Sequence, residues 1–227
     1  MLSFVTYLEE KFRLTLRYHA KLNTKLWNKD QLKPGIAPEL LKLGWAFARY
    51  CGLNGSNVRD IIITGGNVNY NYTKFSDIDV HVIADIDGMD SDELYDKKVE
   101  WNKQLDLKIG GYPLEFYATD DDTVPSGQGV YSILHDKWIT IPKHLDHVGV
   151  LSDPFVEDKV QYNIKYVKQL IKSGTKQDIV KFKEKMWRGR SAGLQREGEF
   201  SIENVIYKDL RNRGLIDKLN KKLQDLG

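Results

Sequence analysis

Apolar residues along this chain change period several times, and each change marks an element. Phe4, Leu8, Phe12, Leu16 and Ala20 recur every four residues, and Leu14, Tyr18 and Leu22 widen the stripe. That spacing predicts an amphipathic helix over residues 2–22. A polar, turn-rich stretch follows over residues 23–35. A second helix is then predicted, with Pro38 in its first turn, Leu40, Leu41, Leu43, Trp45 and Phe47 filling it and Gly52 ending it. Residues 60–64 hold three consecutive isoleucines and read as a short buried strand, which Gly65-Gly66 breaks. Residues 77–84 alternate with period two: Ile78, Val80 and Val82 face one way, Asp77, Asp79 and His81 the other. Residues 90–104 suit a polar helix with Asp90 or Ser91 as N-cap. LDLKI and YPLEFYA flank Gly110-Gly111 as a β-hairpin, with Glu115 on the face opposite Leu114 and Phe116. VYSIL and WITIP suggest a second hairpin. Helices are predicted over 155–172, 176–187 and 201–213, with a short one through residues 215–226.

Composition narrows the class. Of 227 residues, 41% are hydrophobic and 11% aromatic, which excludes disorder for the chain as a whole. Cys51 is the single cysteine and lies in an apolar stretch, so neither an intrachain disulfide nor a thiolate zinc cluster can form. No run reaches the roughly 18 apolar residues of a membrane span, and Glu9 and Glu10 come too early for a signal-peptide apolar region. The expectation is a cytoplasmic protein with no membrane partner.

Charge divides the chain. Residues 1–60 carry 10 basic and 5 acidic side chains, residues 61–154 carry 7 and 17, and residues 155–227 carry 17 and 10. An acidic centre between basic ends suits a metal-binding middle and flanks that meet an anion, although ordinary solvated charge gives the same totals. The expected organisation is an N-terminal helical region (1–57), a core (58–153) and a basic C-terminal helical region (154–227).

The chemistry concentrates between residues 65 and 115. Asp77 and Asp79 lie two apart on a strand, so both carboxylates leave the same face. At that separation they repel and raise each other's pKa unless a cation sits between them. Magnesium takes oxygen ligands and is commonly held by one or two carboxylates and substrate phosphates, and two such ions clamp the attacking and leaving oxygens of a phosphoryl displacement. Gly65 and Gly66 allow close backbone approach to a phosphate. The segment between, NVNYNYTKFS, offers Asn67, Lys74 and Ser76 as a lining for a triphosphate.

Gly65-Gly66, a gap of ten residues and Asp77-Ile78-Asp79-Val80 resemble the Gly-[Gly/Ser]…Asp-x-Asp pattern of the DNA polymerase beta-like nucleotidyltransferase superfamily. Glu115 in YPLEFY matches that family's third acidic residue on a later strand. ITGGNVNYNYTKFSDIDVHVI and LQREGEFSIENVIYKDLRNRGLIDKL also resemble uncharacterised predicted nucleotidyltransferases of bacteriophages, which would place the protein in a host cytoplasm. The resemblance implies that Asp77, Asp79 and Glu115 coordinate Mg²⁺ or Mn²⁺, and that Gly65 and Gly66 hold the nucleotide. Gly66 stands where many members have serine, so backbone N–H groups or Asn67 must replace that hydroxyl.

Other candidates have plainer readings. His81 continues the acidic face and suits substrate contact or a structural role equally, and His135, His144 and His147 show no ligand spacing. Asp120-Asp121-Asp122 reads as a solvated loop. Arg188, Arg190, Arg196, Lys208, Arg211 and Arg213 suit phosphates of a donor or acceptor, with Trp187 beside the first two to stack on a base. They suit structural pairs with Glu197, Glu199 and Glu203 as well. The fold expected is α+β: a small mixed or antiparallel sheet carrying the three acids, flanked by N-terminal and C-terminal helices. The function expected is transfer of a nucleoside monophosphate from an NTP to a hydroxyl on an RNA end, a protein side chain or a small molecule, with release of pyrophosphate. The alternatives are a nucleotide-sensing module without catalysis and a phage structural or interaction protein.

Overall fold

The computed structural model describes residues 12–120, 129–144 and 149–227. They fall into two compact units, one drawn from Tyr18–Asp146, the other from Met1–Arg17 and His147–Gly227. Among the described residues no helix is long and apolar enough to cross a membrane.

The first unit is built on a six-stranded mixed sheet. Its strands are β3 (Val58–Thr64), β4 (Ile78–Ala84), β5 (Lys108–Ile109), β6 (Tyr112–Thr119), β7 (Val130–Ser132) and β8 (Lys137–Thr140), in the order β5-β6-β4-β3-β7-β8. A two-stranded ribbon, β1 (Trp27–Asn28) and β2 (Gln31–Leu32), stands apart from it. All pairings are antiparallel except β4 with β6, which run parallel because helix α2 (Ser91–Gln104) carries the chain back between them. Asp90 caps α2 by accepting from the backbone N–H groups of Asp92 and Glu93. Further along, Asn102 donates to Phe116 O at 3.0 Å and accepts from Phe116 N at 2.9 Å, pairing with β6 beyond the end of the short β5.

Helix α1 (Ile36–Tyr50) covers one sheet face with Leu40 and Phe47, against Ile61, Ile63, Val80, Val82 and Phe116. Gly44 permits the close approach, since a Cβ there would sit 2.8 Å from Ile61 Cγ2. Apolar burial on this face is the main stabilising contribution, at ~25 cal/mol per Å².

The second unit is helical: α3 (Pro154–Ser173), α4 (Lys176–Glu197), α5 (Ile202–Asn212) and α6 (Leu215–Asp225) bury Val156, Val160, Val167, Ile179, Val205, Leu210 and Leu219 together. Thr175 and Asp178 form a reciprocal capping box at the start of α4. That helix runs ten residues beyond its predicted end at 187. Gly193 allows this, because a Cβ there would press on Glu203 and Ser201 at the start of α5.

The predicted helix over residues 2–22 is corrected for its described part. Residues 12–22 are irregular, and residues 2–11 lie outside the described residues. Leu14 and Leu16 are both buried at a spacing of two, and Thr15 between them donates its backbone N–H and its hydroxyl to Asp209 Oδ2, each at 3.1 Å. Asp209 is fully buried and also pairs with Arg213 at 2.7 Å. A buried carboxylate needs those donors, and that requirement outweighs helical propensity in a strap otherwise periodic enough to coil.

Cys51 ends α1 with its thiol fully buried, and burial pushes its pKa up to about 11. A buried, protonated thiol is a poor nucleophile. In the native protein at pH 8, Cys51 is therefore expected to react with a disulfide reagent such as DTNB at least a hundredfold more slowly than in urea, which a 412 nm time course measures.

Candidate metal centre

Strand register assembles the acidic face. In the antiparallel β3–β4 pair Thr64 lies opposite Asp79 and Ile62 opposite His81. In the parallel β4–β6 pair Glu115 lies opposite Asp79 and Tyr117 opposite His81. Because strand side chains alternate, all of these leave the face that α1 does not cover. Asp77, one residue before β4, has the same parity. The outcome is a cluster in which Asp77, Asp79 and Glu115 each offer a carboxylate oxygen within 4.8 Å of the others, all half-buried. The three acids singled out in the sequence thus come together.

The Gly65-Gly66 turn is fitted to that cluster. Gly65 has φ 85°, in the left-handed region, and a Cβ there would overlap Asp79 Oδ2. A Cβ at Gly66 would lie 2.9 Å from Ser76 Oγ. Ser76 is buried and its hydroxyl, which accepts from Thr73 N at 2.9 Å, stands where a serine at position 66 would reach. Asn69 ties the turn down by donating to Gly65 O at 2.7 Å and accepting from Gly129 N at 2.9 Å.

Asn67 has a role other than the phosphate lining expected of it. It is fully buried; its Nδ2 donates to Asp77 O at 2.7 Å and its Oδ1 accepts from Asn23 Nδ2 at 2.7 Å. Trp27 Nε1 donates to Asn67 O at 2.8 Å. With both side-chain termini engaged inside the protein, Asn67 positions the backbone that carries Asp77. Lys74 is exposed, its ammonium 4.8 Å from the centroid of the Phe75 ring.

A second layer of groups on this face was not singled out in the sequence. The Tyr117 phenol pKa is raised by burial first and then by the neighbouring charges of Asp79 and Glu115. One face of its ring stacks on His81, with centroids 4.7 Å apart and planes 14° from parallel. The Lys98 ammonium lies 4.2 Å from the Tyr117 ring centroid and 5.6 Å from that of Tyr95. Lys98 therefore puts a cation, held by aromatic rings, one layer from the three acids. The signal was its position on α2 beside β6, which only the crossover topology reveals.

His81 is buried. Its Nε2 lies 3.2 Å from Thr64 Oγ1, and its Nδ1 has no hydrogen-bond partner among the described residues. Desolvation, with a smaller contribution from the Lys98 charge, pushes its pKa down to about 4.

The basic residues of the C-terminal region belong to the helical unit. Arg190 donates to Asn204 Oδ1 at 3.0 Å and lies 4.5 Å from the Tyr207 ring centroid. Arg196 pairs with Glu197 and Glu203, and Lys208 with Glu199. The structural pairs with Glu197, Glu199 and Glu203 that the sequence offered as an alternative are thus present for Arg196 and Lys208. Arg188 lies on α4, and Arg211 on α5 buries an Nε without a partner among the described residues. Of the acidic triplet and the histidines, Asp121, Asp122 and His147 lie outside the described residues.

Three carboxylates so close require compensating charge. An all-oxygen donor set suits a hard divalent cation, so the cluster is geometrically fit to coordinate one. No family model matches the chain, and no curated protein or solved structure matches it.

Gly65→Ala is expected to destabilise the protein by about 2–4 kcal/mol, through the left-handed backbone and the overlap with Asp79, and to weaken Mn²⁺ binding at least tenfold. Urea unfolding and Mn²⁺ electron paramagnetic resonance measure the two effects. For His81 the fold holds the ring neutral, whereas the unfolded chain protonates near 6.5. Its contribution to stability is therefore complete above that pH and is lost as the pH falls toward 4. NMR titration of the imidazoles should show His81 changing near pH 4, and Lys98→Met should move it upward.

Proposed function

We propose that this protein is a metal-dependent nucleotidyltransferase that moves a nucleoside monophosphate from an NTP to a hydroxyl group and releases pyrophosphate. The observation that carries the reading is the register of β4 and β6, which sets Glu115 directly beside Asp79 and within reach of Asp77, next to a Gly65-Gly66 turn shaped around Asp79. On this reading the sheet is the core of a polymerase beta-like nucleotidyltransferase.

Mg²⁺ or Mn²⁺, when bound, would neutralise charge developing on the phosphoryl oxygens and orient in-line attack. Asp77 and Asp79 would hold it, and Glu115 would complete the donor set and accept the proton of the acceptor hydroxyl. The acceptor oxygen forms a bond to the α-phosphorus, the bond from that phosphorus to the bridging oxygen breaks, and pyrophosphate leaves with the electron pair. Tyr117, two residues along the same strand face, keeps a neutral phenol beside the Glu115 carboxylate. Lys98, without a carboxylate partner among the described residues, offers its charge to a phosphate of the donor. The backbone N–H groups of Gly65 and Gly66 would approach the triphosphate where any side chain would block it.

Purified protein incubated with each α-³²P-labelled NTP, Mn²⁺ or Mg²⁺, and a cell extract of RNA and protein should transfer label. Asp77→Asn and Asp79→Asn should each reduce transfer at least a thousandfold, and Lys98→Met about ten- to a hundredfold. Transfer that survives the aspartate changes would sink the site. Nucleotide binding without transfer to any fraction would leave a sensing module instead of an enzyme.

A further inference from the structure

We infer that a cleft on the sheet-bearing unit binds a single-stranded polynucleotide, and that this strand is the acceptor class of the metal centre. The cleft has a volume of about 710 Å³ and lies where the β1–β2 ribbon faces the segment after β8. Lys21, Lys29 and Lys33 line it with the rings of Tyr70 and Trp138 and the exposed side chain of Ile141. None of the three lysines has an ion-pair partner among the described residues, and Asp30 is the single acid in the lining.

Three unpaired ammonium groups beside aromatic rings match the chemistry of a nucleic-acid strand. Lysines follow the phosphates, and a base, whatever its identity, stacks on an aromatic face. An acidic peptide would use the lysines but leave the rings idle, and an apolar helix would bury unpaired charge. The cleft's shape is fixed in advance. Trp138 Nε1 donates to Asp30 O at 2.7 Å, docking the ribbon tip, and Trp27 stacks beneath Trp138 with ring centroids 4.9 Å apart. Lys29 occupies the tip with φ 59°, a left-handed conformation that non-glycine residues rarely adopt. In a two-residue hairpin loop with positive φ at its first central residue alone, that position favours glycine.

The cleft also communicates with the carboxylates. Trp27, in its floor, donates to Asn67 O, and Asn67 donates to Asp77 O. Tyr70, in its wall, belongs to the segment that follows Gly65 and Gly66. A strand lying in the cleft would therefore meet the loop whose Gly65 abuts Asp79 and whose Asn67 holds Asp77. Naming the strand as acceptor rests on the proposed transfer reaction; its binding does not.

Fluorescence anisotropy with labelled twelve-residue oligo(U) and oligo(dT), with heparin and duplex DNA as competitors, tests the inference. For the wild type, a single strand should bind at least tenfold tighter than duplex and should quench tryptophan emission, which heparin should not. The Lys21→Gln/Lys29→Gln/Lys33→Gln variant should lose at least tenfold in affinity, with a salt slope shallower by about 2. It should keep the Mn²⁺ affinity of the wild type, showing that the fold and the metal centre persist. Tyr70→Leu should reduce the affinity separately. Unchanged affinity in the triple variant, or equal binding of heparin and oligonucleotide, would overturn the inference. Strand binding that remains in a protein unable to transfer label would sink the transfer reading and leave the cleft intact.

Discussion

Like charges kept close are the constraint around which the sheet-bearing unit is organised. Asp77, Asp79 and Glu115 repel one another, and nothing in their own chemistry would hold them within 4.8 Å. The backbone does so. β4 is gripped on one side by β3 and on the other by β6, and the Asp79–Glu115 pairing is a rung of that ladder. The energy comes from the opposite face, where Ile61, Ile63, Val80, Val82 and Phe116 pack under α1. One face of a sheet thus supplies the stability that lets the other carry an unfavourable arrangement of charge.

The loop preceding β4 is matched to the same constraint. Gly65 leaves room for Asp79, Asn67 holds Asp77 by its carbonyl, and Ser76 fills the space beside Gly66. Each contact acts on the geometry of the acids and not on their charge. Tyr117, His81 and Lys98 act on charge: the phenol stays protonated beside the acids, the buried imidazole stays neutral, and the ammonium lies over the phenol ring. Arrangement and electrostatics are therefore assigned to different residues.

Much of this was legible from strand parity. Period two alone put Asp77 and Asp79 on one face, and the Gly110-Gly111 turn put Glu115 opposite Leu114 and Phe116. The rung joining Glu115 to Asp79 was not legible, because it depends on β6 running parallel to β4 after the α2 crossover. Tyr117 and Lys98 escaped notice for the same reason: an aromatic on a strand and a lysine on a polar helix carry no local signal. The irregular strap at residues 12–22 shows the opposite failure. Its apolar spacing fits a helix, but the buried Asp209 requires the N–H and hydroxyl of Thr15, and long-range contacts of that kind leave no trace in a short window. Asn67 was read as part of a triphosphate lining for want of its partners, Asn23 and the Asp77 carbonyl, which lie 44 and 10 residues away.

Asn102 carries a consequence for how this protein behaves in company. Beyond the two residues of β5, the outer border of β6 would display an unsatisfied N–H and C=O at Phe116, and such a border recruits strands from other chains. The carboxamide of Asn102 answers both groups and so imitates a neighbouring strand with a single side chain. At the opposite border β8 ends the sheet with Ile139 exposed. The sheet's two borders are thus unlike: a side chain stands in for a strand at Phe116 on β6, whereas β8 forms the other border with an exposed isoleucine.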